Sequence, residues 1–198
     1  MARMAFLLLL AGCRRNDAVP LDKSSPERLA RQIWDGSAPG DRARRFAAVV
    51  GGRDRLDRFI RSYEAYLSNF DYVADRDDEL TPAETLFAGA RLAGDCEDFA
   101  VGLLALARVQ GASARVILGD DGRGFGHVYA QVLVAATGEA TAGVTRRLAS
   151  YGTTASAFES DSRGMWLTLE TFPPGAKAFH GEVHRLVVYG DGDWEELR

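Results

Sequence analysis

The sequence has few cysteines, no long apolar run and no excess of basic residues. Two cysteines in 198 residues exclude the disulfide-dense scaffolds of small secreted domains. No apolar run approaches the ~20 residues that a membrane-spanning helix requires. Lys and Arg number 24 against 28 Asp and Glu, so the chain lacks the basic excess of nucleic-acid-binding surfaces, and no nucleic-acid partner is expected. The length and the 46% hydrophobic content indicate one globular domain.

The first residues of the chain have the layout of a secretory signal. Arg3 precedes a short apolar run from Met4 to Ala11, and small residues then lead to Cys13. The alternative is that this run forms a short buried helix or strand. The end of the run, Leu10-Ala11-Gly12-Cys13, resembles the lipobox of bacterial lipoproteins.

The lipobox resemblance implies a lipid-anchored, exported protein. Residues 1–12 are then the signal peptide, and Cys13 carries several acyl chains, which hold a protein to a membrane stably. Residues 13–25 form the lipidated cysteine and a polar tether, and the domain occupies residues 26–198. Arg14 stands where retention in the inner membrane is associated with aspartate. The expected location is therefore the bacterial cell envelope, at the outer membrane if the cell has one.

Helix signals occupy the first half of the domain, and strand signals occupy the second. Ser25-Pro26-Glu27 is typical of a helix start, and Thr81-Pro82-Ala83-Glu84 is typical of a capping box. Helices followed by antiparallel strands predict an α+β fold. Residues 135–163 are rich in Gly, Ala, Ser and Thr and predict an insertion. Helices are predicted to start at Pro26 and at Thr81 and to cover Pro39–Val50, Asp54–Phe70 and Asp95–Gly111. The predicted strands are Ala114–Leu118, Gly126–Val134, Met165–Leu169 and Val183–Tyr189.

Cys96 is the candidate nucleophile. If Cys13 is lipidated, Cys96 is the one free thiol left, and an unpaired cysteine in an exported protein needs a chemical reason. It falls in the first turn of a predicted helix, where backbone N–H groups and the helix dipole favour a thiolate. The adjacent acids Asp95, Glu97 and Asp98 have the opposite effect on the pKa of the thiol. The sequence leaves open which effect is larger, and a small buried side chain without chemistry is the alternative.

His127 and Glu170 are the candidate partners of this thiol. His127 begins a predicted strand after a glycine-rich turn, where its side chain can face a helix N-terminus and form a Cys–His pair. A third polar group must hold the tautomer of the imidazole, and Glu170 ends the next predicted strand. His180 and His184 have the spacing of a metal pair on a helix, but their segment has the pattern of a loop entering a strand and lacks HExxH, so no metal site is predicted.

Two motifs relate the chain to a known family. Thr81-Pro82-x-Glu84-Thr85-Leu86 is followed by Gly94-Asp95-Cys96-Glu97-Asp98-Phe99-Ala100, then by His127 and by Trp166 with Leu169-Glu170. This order resembles the transglutaminase-like superfamily over about residues 70–172. The resemblance implies a papain-like core with Cys96 on a helix N-terminus, His127 on one strand and Glu170 on the next as catalytic residues.

The chain departs from the family pattern in two ways. Glu170 stands where the family usually has aspartate, and the gap from His127 is long because of the 135–163 insertion. Asp161, inside that insertion, is the fallback for the third role.

The resemblance implies acyl transfer through a thioester on Cys96, with a protein or peptide as substrate and without a metal or cofactor. Water as acceptor makes the enzyme a cysteine peptidase or amidase, and an amine makes it a cross-linking transglutaminase; hydrolysis is the expected outcome. The alternative is a catalytically inactive transglutaminase-like module that serves as a binding or scaffold domain of the cell envelope. The glutamate at position 170 favours this alternative.

Overall fold

The computed structural model describes residues 18–74, 79–89, 91–120, 125–136, 158–169, 182–188 and 194–197. The helices are α1 (Pro26–Gly36), α2 (Asp41–Val50), α3 (Arg55–Asn69), α4 (Ala83–Leu86) and α5 (Cys96–Val109). The strands are β1 (Val19–Pro20), β2 (Phe70–Tyr72), β3 (Glu79–Leu80), β4 (Leu92–Gly94), β5 (Ala114–Asp120), β6 (Phe125–Ala136), β7 (Phe158–Asp161), β8 (Gly164–Leu169), β9 (Glu182–Val188) and β10 (Trp194–Leu197). Among these ranges, none of the helices has the length and apolarity needed to cross a membrane.

Local capping signals place the first helices where the sequence predicts them. The hydroxyl of Ser25 accepts a hydrogen bond from the Arg28 N–H at the start of α1. The carboxylate of Asp54 does the same for Asp57 at the start of α3. Helix α2 ends at Val50 and is followed by Gly51, whose φ of 67° is a conformation that glycine adopts without steric cost. The predicted helices at Pro26 and Asp54 are confirmed, and α2 begins at Asp41, slightly later than predicted.

The large sheet confirms the predicted α+β class. Six strands pair in the order β10-β9-β5-β6-β8-β7, and every pair is antiparallel. The prediction of an insertion over residues 135–163 is wrong at both ends. Ala135 and Ala136 continue β6, and β7 forms a hairpin with β8. Residues 137–157 lie outside the described residues.

Helix α5 forms the centre of the core. It packs against α1, α2, α3 and α4 on one side and against β5 and β6 on the other. An apolar helix of this kind must be buried on almost every side, and each large apolar side chain stabilises the fold by roughly 1.5–3 kcal/mol. Its largest buried apolar side chains are Phe99, Val101, Leu103, Leu104 and Leu106. The position of α5 therefore determines where Cys96, its first residue, meets the sheet.

The sheet face that packs on the helices is apolar, and the opposite face carries a buried polar network. Val116, Val128 and Leu167 belong to the helix-facing core. Successive side chains of a strand point to opposite faces of the sheet, so the neighbours of these residues lie on the other face. There Arg115, which is 1% exposed, donates hydrogen bonds to Gln131, Asp161 and Glu159 at 2.5, 2.6 and 3.1 Å. The network joins the β7–β8 hairpin to the middle of the sheet.

The predicted capping box at Thr81 is wrong. Helix α4 begins at Ala83, and no side chain caps its N-terminus. The N–H and the hydroxyl of Thr81 instead donate to the two carboxylate oxygens of Asp98, at 2.7 and 3.1 Å. The carboxylate of Glu84 accepts a hydrogen bond from the backbone N–H of Arg42. Thr81 therefore connects the start of α4 to the first turn of α5.

Part of the predicted tether belongs to the domain. Val19 and Pro20 form β1, which pairs antiparallel with β3, and the Pro20 carbonyl accepts a hydrogen bond from the side chain of Gln32 at 2.7 Å. Val19 and Pro20 therefore belong to the domain and not to a tether. Residues 1–17, which include the predicted signal peptide and Cys13, lie outside the described residues.

Loss of the Asp98 carboxylate tests the connection between α4 and α5. We expect Asp98→Ala to lower the free energy of unfolding by roughly 3 kcal/mol, because the buried Thr81 N–H and hydroxyl lose a charged acceptor. Glu84→Ala is the matched control, and it should cost about 1 kcal/mol or less because its ion pair with Arg42 is half exposed. Urea denaturation at neutral pH measures both changes, and equal losses in the two variants would contradict this account.

Candidate functional site

The short strand β4 immediately precedes the N-terminus of α5. It pairs in parallel with β2, so that Leu92, Ala93 and Gly94 lie beside Phe70, Asp71 and Tyr72. A Cβ on Gly94 would overlap the side chain of Asp98, so glycine is needed where β4 passes the first turn of α5. These contacts hold Cys96 as the first residue of a helix whose following residues, 97–107, are buried.

The sulfur of Cys96 contacts two groups. Its S–H donates a hydrogen bond to the carboxylate of Glu97, with 3.0 Å between Sγ and Oε2. The backbone N–H of Val128 on β6 lies next to the same sulfur and lowers the pKa of the thiol. Cys96 is a free thiol that is partly buried against the core. The thiol therefore lies at the junction between α5 and the start of β6.

The surroundings of Cys96 stabilise the neutral thiol. Burial raises the pKa of Cys96 most strongly, and the charge of Glu97 and its hydrogen bond with the thiol raise it further. The N–H of Val128 lowers the pKa, and Asp95 raises it. The sequence left open whether the helix N-terminus or the neighbouring acids have the larger effect on this thiol. In the folded protein, burial and the acids outweigh the donors, because a thiolate here loses hydration next to negative charge.

His127 lies one residue before the backbone group that contacts the thiol. It pairs with Gly119 of β5, next to a bulge between Gly119 and Asp120. Its side chain is 5% exposed, and its ring centroid lies 5.7 Å from that of Tyr129. Burial lowers the pKa of His127 to about 4. The imidazole is therefore neutral at pH 7.

Asp161 lies far from Cys96 and His127. Asp161 pairs with Gly164, which in turn pairs with Ala136 at the far end of β6. At roughly 3.3 Å per residue, that end of the strand is about 30 Å from His127. The Asp161 carboxylate binds Arg115. The fallback assignment of Asp161 as the residue that orients His127 is therefore wrong.

The side chains of three predicted residues, Glu170, His180 and His184, are not among those that the structure describes. Glu170 and His180 lie outside the described residues; Leu169, which ends β8, pairs with Ala130 on β6. The backbone of His184 lies on β9 opposite Leu118. In the part of the chain that the structure describes, no group of three His, Cys, Asp or Glu side chains has the arrangement of a metal site.

Two pairs of interacting polar residues were not predicted from the sequence. The bond between Thr81 and Asp98 was hidden because Thr81 also fits a capping pattern. Arg115 and Gln131 each stand within an apolar strand, and this interruption of the pattern is the signal that could have indicated a buried polar pair. Both pairs, Thr81 with Asp98 and Arg115 with Gln131, are structural, and they position the strands and the helix that carry the candidate site.

Comparison with known proteins found one relationship. A model of the family described as the transglutaminase-like superfamily matches residues 42–143, which is about half of the 198-residue chain. The match includes Cys96 and His127. No curated protein and no solved structure matches the chain.

The burial of neutral His127 predicts a loss of stability in acid. The pKa falls from an ordinary 6.5 to about 4 on folding, so the unfolded chain binds more protons than the folded chain between these pH values. Stability is therefore fully present above pH 6.5 and declines as the pH falls toward 4, by roughly 3 kcal/mol for this group. The variant His127→Asn, which does not titrate, should show a smaller decline over this window in urea denaturation. An unchanged decline would show that other groups cause it.

Proposed function

The chain belongs to the transglutaminase-like superfamily, and from this premise we propose that it is a thiol enzyme that transfers acyl groups from peptide or amide bonds through Cys96. One observation carries the proposal. Cys96 is the first residue of α5, and its sulfur lies next to the N–H of Val128, the residue after His127. Thiol acyl transfer requires a base beside the nucleophile, and we propose that the imidazole of His127, the residue before Val128 on β6, takes that position.

Proton transfer in this mechanism starts from two neutral groups. The imidazole of His127 takes the proton from the thiol as the sulfur of Cys96 forms a bond to the carbonyl carbon. The backbone N–H of Cys96, in the first turn of the helix, has no acceptor within the helix and supplies one donor for the developing oxyanion. When the C–N bond breaks, the imidazolium returns the proton to the leaving amine, and a thioester remains on Cys96.

The acceptor that resolves the thioester decides the class of enzyme. Water releases a carboxylic acid, and this hydrolytic outcome defines a cysteine peptidase or amidase. A primary amine forms a new amide bond and defines a cross-linking enzyme. We propose hydrolysis of a protein or peptide as the reaction. Glu170, the third residue by resemblance to the family, is proposed to orient His127.

A catalytically inactive binding or scaffold module is the second candidate. The raised pKa of Cys96 favours it, since the reactive form of a cysteine is the thiolate. The pKa of about 4 for His127 favours it as well, because a general base is most effective when its pKa lies near the working pH. The two candidates differ in whether the reactivity of Cys96 depends on His127.

Acylation of Cys96 by p-nitrophenyl acetate distinguishes the two candidates. For the enzyme, we expect acylation of Cys96 in the full chain at pH 7–8, and His127→Ala should slow it by about 100-fold because it removes the general base. His184→Ala is the matched control and should leave the rate within about two-fold, as expected for a histidine outside the proton-transfer pair. Mass spectrometry of the peptide that contains Cys96 measures the modification.

A rate that is the same in His127→Ala and in the unmodified chain would overturn the catalytic proposal and support the scaffold. If His184→Ala loses the acylation of Cys96 instead, His184 and not His127 is the base. If the acyl-enzyme forms, its decay with and without an added primary amine identifies the acceptor.

We also propose that the protein is a lipoprotein of the bacterial cell envelope, anchored through Cys13. Support comes from the signal-like residues 1–12 and from the lipobox-like ending at Cys13. An anchor just before residue 18, where the chain joins the domain at β1, places the domain close to the membrane surface.

Substitution of each cysteine tests the anchor. We expect Cys13→Ala to abolish acylation and to move the protein from the detergent phase to the aqueous phase in Triton X-114 partitioning. Cys96→Ala is the matched control and should remain in the detergent phase, because it leaves the acylation site intact. Unchanged partitioning of Cys13→Ala would contradict the lipoprotein proposal.

A further inference from the structure

The carboxylate of Glu97 is directed at the Cys96 thiol in an unusual way. Successive side chains of a helix project about 100° apart and do not face each other, so the 3.0 Å contact between Sγ and Oε2 requires Glu97 to fold back over the first turn. An acid in the first turn of a helix ordinarily lies in solvent, where it interacts with the dipole. Glu97 is only 5% exposed, and burial of a carboxylate is costly without a donor.

The other charged groups around the thiol are differently engaged. Asp98 directs both carboxylate oxygens to Thr81, on the side of α4. Asp95 lies in the same turn and acts on the thiol through its charge. From β6, the N–H of Val128 lowers the pKa of the thiol, and His127 is the residue before it on the same strand. Glu97 is therefore the acid that combines charge with a direct hydrogen bond to the sulfur.

We propose that Glu97 is a positioning residue whose carboxylate accepts the S–H of Cys96 and keeps the nucleophile protonated until His127 takes the proton. The proposal deepens the proposed function and rests on it for its catalytic meaning. In the resting protein the S–H bond is intact and points to Glu97. In the reaction the S–H bond breaks, the proton moves to the imidazole, and the sulfur forms its bond to the carbonyl carbon of the substrate.

This arrangement restricts the reactions of the thiol. Alkylating agents and oxidants react with the thiolate, so a cysteine held as a thiol reacts slowly with them. A substrate whose carbonyl is placed against the sulfur reacts with proton transfer to His127 and needs no standing thiolate. Glu97 therefore makes the nucleophile selective for acyl donors over alkylating agents and oxidants.

The pH dependence of Cys96 alkylation by iodoacetamide tests the role of Glu97. In the full chain, Glu97→Gln keeps the size of the side chain and removes its charge, and we expect alkylation at pH 7.5 to become about ten-fold faster, which corresponds to a shift of about one pH unit in the profile. Asp95→Asn is the matched control for loss of a neighbouring charge without the hydrogen bond, and its effect should be smaller. The Cys96 peptide is quantified by mass spectrometry, and melting curves verify that both variants are folded.

A Glu97→Gln profile that coincides with the unmodified chain, or shifts no further than that of Asp95→Asn, would overturn the proposal. If Glu97→Gln does not fold, the infrared S–H stretching band of the Cys13→Ser chain, in which Cys96 is the one remaining cysteine, gives an independent test. A band at lower frequency than that of a thiol without a hydrogen bond is expected, and a band at the unbonded frequency would overturn the proposal. Alkylation reports on the thiol alone, so a failure here is distinguishable from the loss of His127-dependent acylation that would refute the proposed function.

Discussion

Helix α5 is buried on both sides, between the other helices and the large sheet, and the rest of the structure depends on that burial. Residues 97–107 of the helix are all buried, so its axis is determined by packing. Because Cys96 is the first residue of this helix, packing of residues 97–107 determines where the thiol meets β6. The bond between Asp98 and Thr81 then connects the first turn to α4. The candidate site is thus held by the core and not by a loop.

The same burial determines the chemistry of the thiol. A helix N-terminus in water would favour the thiolate, but here the sulfur has lost much of its hydration and lies beside the carboxylate of Glu97. Desolvation and like charge act in the same direction on this group. The neutral imidazole of His127 is a second consequence of burial. The proposed transfer of the proton within the reaction, without a standing ion pair, agrees with the neutral state of both groups.

The opposite face of the sheet shows how a buried charge is accommodated in this fold. Arg115 places its guanidinium over the ring of Trp166 at 4.2 Å and pairs with Glu159 and Asp161. A buried arginine is tolerated when its donors are satisfied, and removal of one partner leaves an uncompensated charge. The network joins the β7–β8 hairpin to β5 and β6. It also occupies Asp161, which is why that residue is not available to His127.

The sequence by itself determined the class of the fold, the starts of α1 and α3, the central strands and the prominence of Cys96. These features depend on residues within one helical turn or one strand, through side-chain caps and hydrophobic periodicity. Only the tertiary structure decided that Thr81 bonds to Asp98, 17 residues away, and that Arg115 binds Asp161, 46 residues away. It also decided the protonation of Cys96, because desolvation depends on what covers a group and not on its neighbours in the chain.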